Sequence, residues 1–168
     1  MPIKVLIADD HTIIRDGLKL ILESQSDIQV TAEADDGLAA IDKARKMQPD
    51  VIIMDIAMPN MNGIEATHRI KEENPDVRVV ILSMHSTAED IFRAMQAGAL
   101  GYLLKESAGT EVVDAVRAVF KGRRYLSRKV DDILIDSYIF DHQRQSTKSP
   151  LESLSSRERE VLQLVAEG

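Results

Sequence analysis

The sequence contains no cysteine and no tryptophan, and only 4% of its residues are aromatic. The first absence excludes disulfides, thiolate metal sites and a cysteine nucleophile. The second leaves Ile, Leu, Val, Ala and Met to build any core. No apolar run is long enough to span a bilayer, and the N-terminus lacks the basic-then-apolar pattern of a signal peptide. A cytoplasmic protein without a membrane partner is the expectation. Positive charge is also scarce: 21 Lys and Arg face 28 Asp and Glu, for a net charge of −7. Counterion release requires clustered cations, so the chain as a whole does not read as a strong nucleic-acid binder. Its one basic group, Arg123, Arg124, Arg128 and Lys129, reads as a solvated helix end.

What is present is an ordinary apolar fraction, 44%, enough for a packed domain plus an appendage in 168 residues. Five β-rich runs alternate with amphipathic stretches. The runs are Ile3 to Ala8, Ile28 to Ala34, Val51 to Met54, Val77 to Leu82 and Leu100 to Leu104. Several are nearly continuous Val, Ile and Leu, as strands buried on both faces of a parallel sheet read. Pro49-Asp50 and Pro75-Asp76 punctuate the entries to the third and fourth runs.

Helical stripes lie between them: Ile14, Leu18, Ile21 and Leu22; then Ala40, Ile41, Ala44 and Met47; Ile64 and Ile70; Ile91, Ala94 and Met95. A fifth comprises Val112, Val113, Val116, Val119 and Phe120, with Gly122 placed as a C-terminal cap. Five strand–helix alternations predict an α/β fold with a doubly wound, five-stranded parallel sheet closing near residue 122.

The remainder differs in character. Ser127 is placed to cap a further helix using Val130, Ile133, Leu134 and Tyr138. His142 to Pro150 is polar and reads as a linker. From Leu154 to Glu167 runs one amphipathic helix, with Ser155 and Glu158 spaced as a capping box. Its apolar stripe, Leu154, Val161, Leu162, Leu164 and Val165, must be covered, either by the preceding domain or by a second copy.

In an open parallel sheet, ligands bind beyond the carboxyl ends of the strands. Here the first strand ends in Asp9-Asp10, the third in Asp55, the fourth in Ser83 and the fifth in Lys105. Three carboxylates gathered on one rim repel one another unless a cation neutralises them. A hard divalent ion such as Mg²⁺ fits oxygen ligands of this kind. With the ion and Lys105 in place, one carboxylate can attack a phosphoryl group. The charge developing on the phosphoryl oxygens would be met by the ion, Lys105 and Ser83.

The segments VLIADDH, DVIIMDIAMPNMNGIEA, VVILSMH and GALGYLLKES resemble the receiver domains of bacterial two-component response regulators, and more narrowly the NarL/FixJ group. The resemblance covers residues 1 to about 122. It implies the flavodoxin-like receiver fold, with Asp55 accepting phosphate from a sensor histidine kinase. It implies Mg²⁺ held by Asp10, Asp55 and the backbone carbonyl of Ala57, with Asp9 helping through water. Lys105 would pair with the phosphoryl oxygens, Ser83 would be the switching hydroxyl and Tyr102 the rotating aromatic. Pro59 and Gly63 would shape the loop after Asp55, Gly63 as a tight turn. Ala57 and His85 would flank the path of the attacking water.

Leu154 to Gly168 resembles the first helix of the LuxR-type helix-turn-helix output domain. The helix that would enter the major groove is not in this sequence, so the expectation is that this chain does not bind DNA specifically and that DNA is reached only through a longer parent protein. The expected organisation is a receiver over 1–122, a helical extension and polar linker over 123–153, and this single output-domain helix over 154–168. The resemblance implies a face around the fourth and fifth helices that can serve homodimerisation on phosphorylation; Ala94, Met95, Ala97 and Ala99 lie near it, and core packing explains them as well. The chain is expected to be a switch rather than an enzyme. A Mg²⁺-dependent phosphatase would need a general-acid carboxylate soon after the nucleophile, where Ala57 stands, and a pseudo-receiver would not need the full rim set.

Overall fold

A computed structural model describes residues 1–144 and 156–167. Six strands, β1 (Ile3–Ala8), β2 (Ile28–Ala34), β3 (Val51–Asp55), β4 (Arg78–Ser83), β5 (Gly101–Leu104) and β6 (Tyr125–Leu126), form one sheet in the order β2-β1-β3-β4-β5-β6. Every neighbouring pair is parallel. Helices α1 (Thr12–Glu23), α2 (Gly37–Met47), α3 (Gly63–Glu73), α4 (Ala88–Gln96) and α5 (Lys105–Phe120) link the first strands, and α6 (Arg128–Arg144) and α7 (Ser156–Glu167) follow.

The period of two along each strand divides the core into two layers. Val5, Ile7, Val51, Ile53, Val80, Leu82 and Leu103 pack with Leu18 and Leu22 of α1 and with Val112, Ala115, Val116 and Val119 of α5. Leu6, Ala8, Ile52, Met54, Val79, Ile81 and Tyr102 face α2, α3 and α4, and also Val130 and Leu134 of α6. Each fully buried Ile, Leu or Val contributes about 2 kcal/mol of burial, so the doubly covered strands β1, β3 and β4 dominate the stability. Ala94 and Ala99 belong to this second layer, fully and almost fully buried. They are core residues, as the packing alternative has it, while Met95 and Ala97 beside them are half-buried.

The sheet does not close at residue 122. Gly122 adopts φ +79°, the left-handed backbone of a helix stop, and the chain then returns to add β6. Tyr125 and Ser127 donate backbone N–H to Leu100 and Tyr102 carbonyls at 3.1 Å each. Ser127 sits where a cap was expected, and its carbonyl accepts the Asp131 N–H. Its hydroxyl, however, is buried and makes no hydrogen bond among the described residues. The segment expected as linker from His142 instead stays helical to Arg144. The Tyr138–His142 stack, with ring centroids 5.7 Å apart, and Arg144 over Phe140 at 4.9 Å extend α6 by contacts of i,i+4 spacing. The rest of that linker, and the Ser155 cap, lie outside the described residues.

A twelve-residue helix such as α7 is marginal alone, and it is held against α4 and α6. Val161 and Leu164 are buried, and Arg157 lies over the Phe92 ring at 5.3 Å while pairing with Glu89. Glu167 accepts a hydrogen bond from Arg124 at 2.5 Å. The described part of the stripe is therefore covered by the same chain, with Leu162 and Val165 half-buried beside Val161 and Leu164, while Leu154 lies outside the described residues. Arg124 and Lys129, the latter 2.8 Å from Glu106, are ion-paired members of the basic group. No helix among the described residues is long and apolar enough to cross a membrane.

Candidate phosphoacceptor and metal site

The rim forms where the strand order reverses between β1 and β3. Asp9 follows β1, Asp55 ends β3, and Lys105 opens α5 directly after β5. Asp9 and Asp55 are buried, at 0% and 2% exposure. Between them lies the Lys105 ammonium, 2.8 Å from Asp9 Oδ2 and 3.0 Å from Asp55 Oδ2. Asp10 is exposed at the mouth. His11 completes the group: its backbone N–H donates to Asp9 Oδ1 at 2.8 Å and its Nδ1 lies 2.9 Å from the same oxygen.

The electrostatics follow from this packing. Burial, then repulsion from Asp9, raises the Asp55 pKa from 3.8 to about 6, against the opposing pull of Lys105 and the Ala57 amide. Burial lowers the Lys105 pKa, but its bonds to Asp9 and Asp55 more than reverse this, leaving it above the ordinary lysine value. Three carboxylates against one ammonium leave a deficit of positive charge. Asp9, Asp10, His11 and Asp55 each offer a ligand atom, all within 4.8 Å of one another. This donor set fits a divalent cation, chiefly through oxygen.

Not every expected residue joins the cluster. Ser83 is buried at the end of β4, but its hydroxyl donates to the His85 carbonyl at 2.5 Å. Tyr102 is fully buried beneath α4, and its hydroxyl is 2.6 Å from Ser86 Oγ. Burial raises the Tyr102 pKa, opposed by the Ser86 and Ser83 hydroxyls. Ala57 and His85 are exposed. His11 and Ser86 were missed by sequence reasoning. His11 stands in the same ADDH strand end that revealed Asp9 and Asp10, so position alone was a usable signal; Ser86 offered none.

Gly63 is required for a reason other than a turn. Its φ is not positive, and the left-handed residue of this loop is Asn60, at φ +66°. A Cβ on Gly63 would lie 2.0 Å from the Asp55 carbonyl oxygen and 2.9 Å from Met54 Cγ. The Gly63 N–H meanwhile donates to the Ile56 carbonyl at 2.9 Å. Gly63→Ala is expected to destabilise the protein by about 2 kcal/mol, as overpacking does, because backbone rather than a flexible side chain must move. Urea unfolding checks it; an unchanged midpoint would show that α3 can shift freely.

A doubly wound sheet bearing an acidic pair, a strand-end aspartate and a lysine on one rim defines a receiver. Residues 5–117 match the model of the response regulator receiver domain. The chain is 39% identical over 168 residues to the oxygen regulatory protein NreC of Staphylococcus carnosus (strain TM300), covering 98% of this chain and 77% of that protein. Among solved structures it resembles a LuxR-family two-component response regulator from Aurantimonas sp. SI85-9A1, with TM-score 0.79, 32% identity, and coverage of 83% of this chain and 99% of that one. It also resembles the receiver domain of the putative response regulator NarL from Mycobacterium tuberculosis, with TM-score 0.70, 36% identity, and coverage of 73% and 98%. The chain belongs to the response regulators, of the NarL/LuxR type.

Proposed function

We propose that Asp55 accepts a phosphoryl group from a sensor histidine kinase and that its modification switches the chain between two conformations controlling a transcriptional output. The observation that carries this reading is a buried strand-end carboxylate with the Lys105 ammonium 3.0 Å away. A carboxylate oxygen of Asp55 attacks phosphorus while the bond to the donor breaks. Lys105, already bonded to the carboxylate, meets the incoming negative charge. Asp10, Asp55 and the Ala57 carbonyl, with Asp9 helping through water, would hold Mg²⁺, which when bound supplies charge neutralisation for the carboxylates and the phosphoryl oxygens. Ser83 would leave the His85 carbonyl to reach the phosphoryl group.

Supporting a route outward, Tyr102 lies on β5, whose neighbour β6 leads directly into α6. Tyr102 pairs with Leu126, and its carbonyl accepts the Ser127 N–H. A population shift at Ser83 and Tyr102 would thereby bias α4, α6 and α7 together. In this reading 1–122 is the receiver, 123–153 an extension and linker, and 154–168 the first helix of a LuxR-type output domain. The protein works in the cytoplasm, homodimerisation accompanies phosphorylation, and catalysis is limited to the aspartyl phosphate's own formation and loss.

Incubation with Mg²⁺ and acetyl phosphate, read by intact mass, tests the proposal. One phosphoryl adduct, absent in Asp55→Asn, is expected. Steady phosphate release with turnover would favour a phosphatase, and no adduct would favour a binding-only receiver. Because Ala57 has no group to orient water, Ala57→Asn is expected to shorten the adduct's half-life several-fold. An unchanged half-life would remove Ala57 from the water's path.

A further inference from the structure

His11 is the rim residue to which phosphoryl transfer assigns no task. Its Nδ1 lies 2.9 Å from Asp9 Oδ1, 3.2 Å from Asp10 Oδ1 and 3.3 Å from Lys105 Nζ. These contacts make opposite demands. Toward a carboxylate the nitrogen must donate, whereas toward an ammonium, which carries only donors, it must accept. A single ring nitrogen carries a hydrogen or a lone pair, not both.

A cation among these groups removes the conflict. With the proton on Nε2 and the lone pair on Nδ1, the imidazole and the carboxylate oxygens all face it. The spacing around His11 agrees: its Nδ1 lies 2.9 and 3.2 Å from the Asp9 and Asp10 oxygens, and neighbouring ligands of an octahedral ion at about 2.1 Å lie about 3.0 Å apart. Asp9 and Asp55 add a second sign of an incomplete site. Both are buried, and their Oδ2 atoms have no hydrogen bond of regular geometry, only the ion contacts to Lys105.

We propose that His11 is a nitrogen ligand of the divalent ion at this rim, so that the site takes manganese-to-nickel transition ions more tightly than its oxygen atoms alone would allow. Imidazole suits the later ions of this series, nickel above all, whereas Mg²⁺ prefers oxygen and gains little from it. The inference rests on the reading of the rim as a metal site.

The test is to titrate the wild type, His11→Ala and His85→Ala with Mg²⁺, Mn²⁺ and Ni²⁺ by calorimetry, and to examine the Mn²⁺-loaded proteins by pulsed EPR for coupling to a directly bound nitrogen. Nitrogen coupling is expected in the wild type and His85→Ala and absent in His11→Ala. Ni²⁺ affinity should fall roughly tenfold or more in His11→Ala while Mg²⁺ affinity changes by less than about twofold. Mn²⁺ bound by the wild type without nitrogen coupling, coupling that survives in His11→Ala, or equal losses for Ni²⁺ and Mg²⁺ would overturn the role of His11 and leave the oxygen-held site standing. Failure of all three ions to bind the wild type would overturn the metal reading itself, and His11's role with it.

Discussion

Lys105→Met lowers the stability of the metal-free protein by about 3–5 kcal/mol above pH 7, the usual cost of breaking a buried ion pair by removing one partner. The side chain is similar in length, so packing changes little. The charge balance changes greatly: Asp9 and Asp55, 0% and 2% exposed, are left facing each other without the ammonium that bonds both. Lys105 is one of the groups that lower the Asp55 pKa, so its removal pushes that pKa above the present value of about 6. A carboxyl raised in the folded state costs stability once pH exceeds its unfolded value, and the cost vanishes when it is protonated in both states. The loss is therefore greatest at pH 8 and much smaller at pH 5. A divalent cation should restore part of it at pH 8. Urea midpoints at the two pH values, with and without Mg²⁺, check this. An equal loss at both would mean that Lys105 acts only by packing. In the phosphoacceptor reading, the same variant also loses most adduct formation from acetyl phosphate.

Long apolar strands advertise themselves, and the ends of β1 and β2 coincide with the runs Ile3 to Ala8 and Ile28 to Ala34. β3 extends one residue further and so includes Asp55 itself. β6 was not legible, because two residues display no period and are held by backbone bonds to Leu100 and Tyr102. Met47 and Phe120 fit their stripes yet are exposed at 45% and 46%. Both end their helices, where the axis has carried the side chain beyond the sheet. At the site, the strand-end rule located Asp9, Asp55 and Lys105 because it concerns backbone position. It carries no information on side-chain direction, and so did not reveal that Ser83 turns to the His85 carbonyl or that Tyr102 bonds Ser86. The necessity of Gly63 was visible, but its cause, the approach of the Asp55 carbonyl, belongs to three dimensions.

The same buried carboxylate makes its own removal stabilising. Without metal, Asp55→Asn is expected to raise stability by about 3 kcal/mol above pH 7 and by almost nothing near pH 4, taking 1.36 kcal/mol per unit of pKa displacement. The Asp55 pKa is about 6 in the folded protein against 3.8 ordinarily. Between those values the unfolded chain has released its proton while the folded one retains it, so rising pH favours unfolding. Asparagine has no such proton and escapes the penalty at every pH. Mg²⁺ should reverse the comparison, since binding requires the ionised carboxylate and releases its proton. It would stabilise the wild type increasingly as pH rises through about 6, and Asp55→Asn much less. Urea unfolding of both proteins from pH 4 to 8, in chelator and in Mg²⁺, measures the difference directly. A gap that does not change with pH would mean that the burial and repulsion at Asp55 are relieved by something other than protonation, and that the rim is already neutral without a cation.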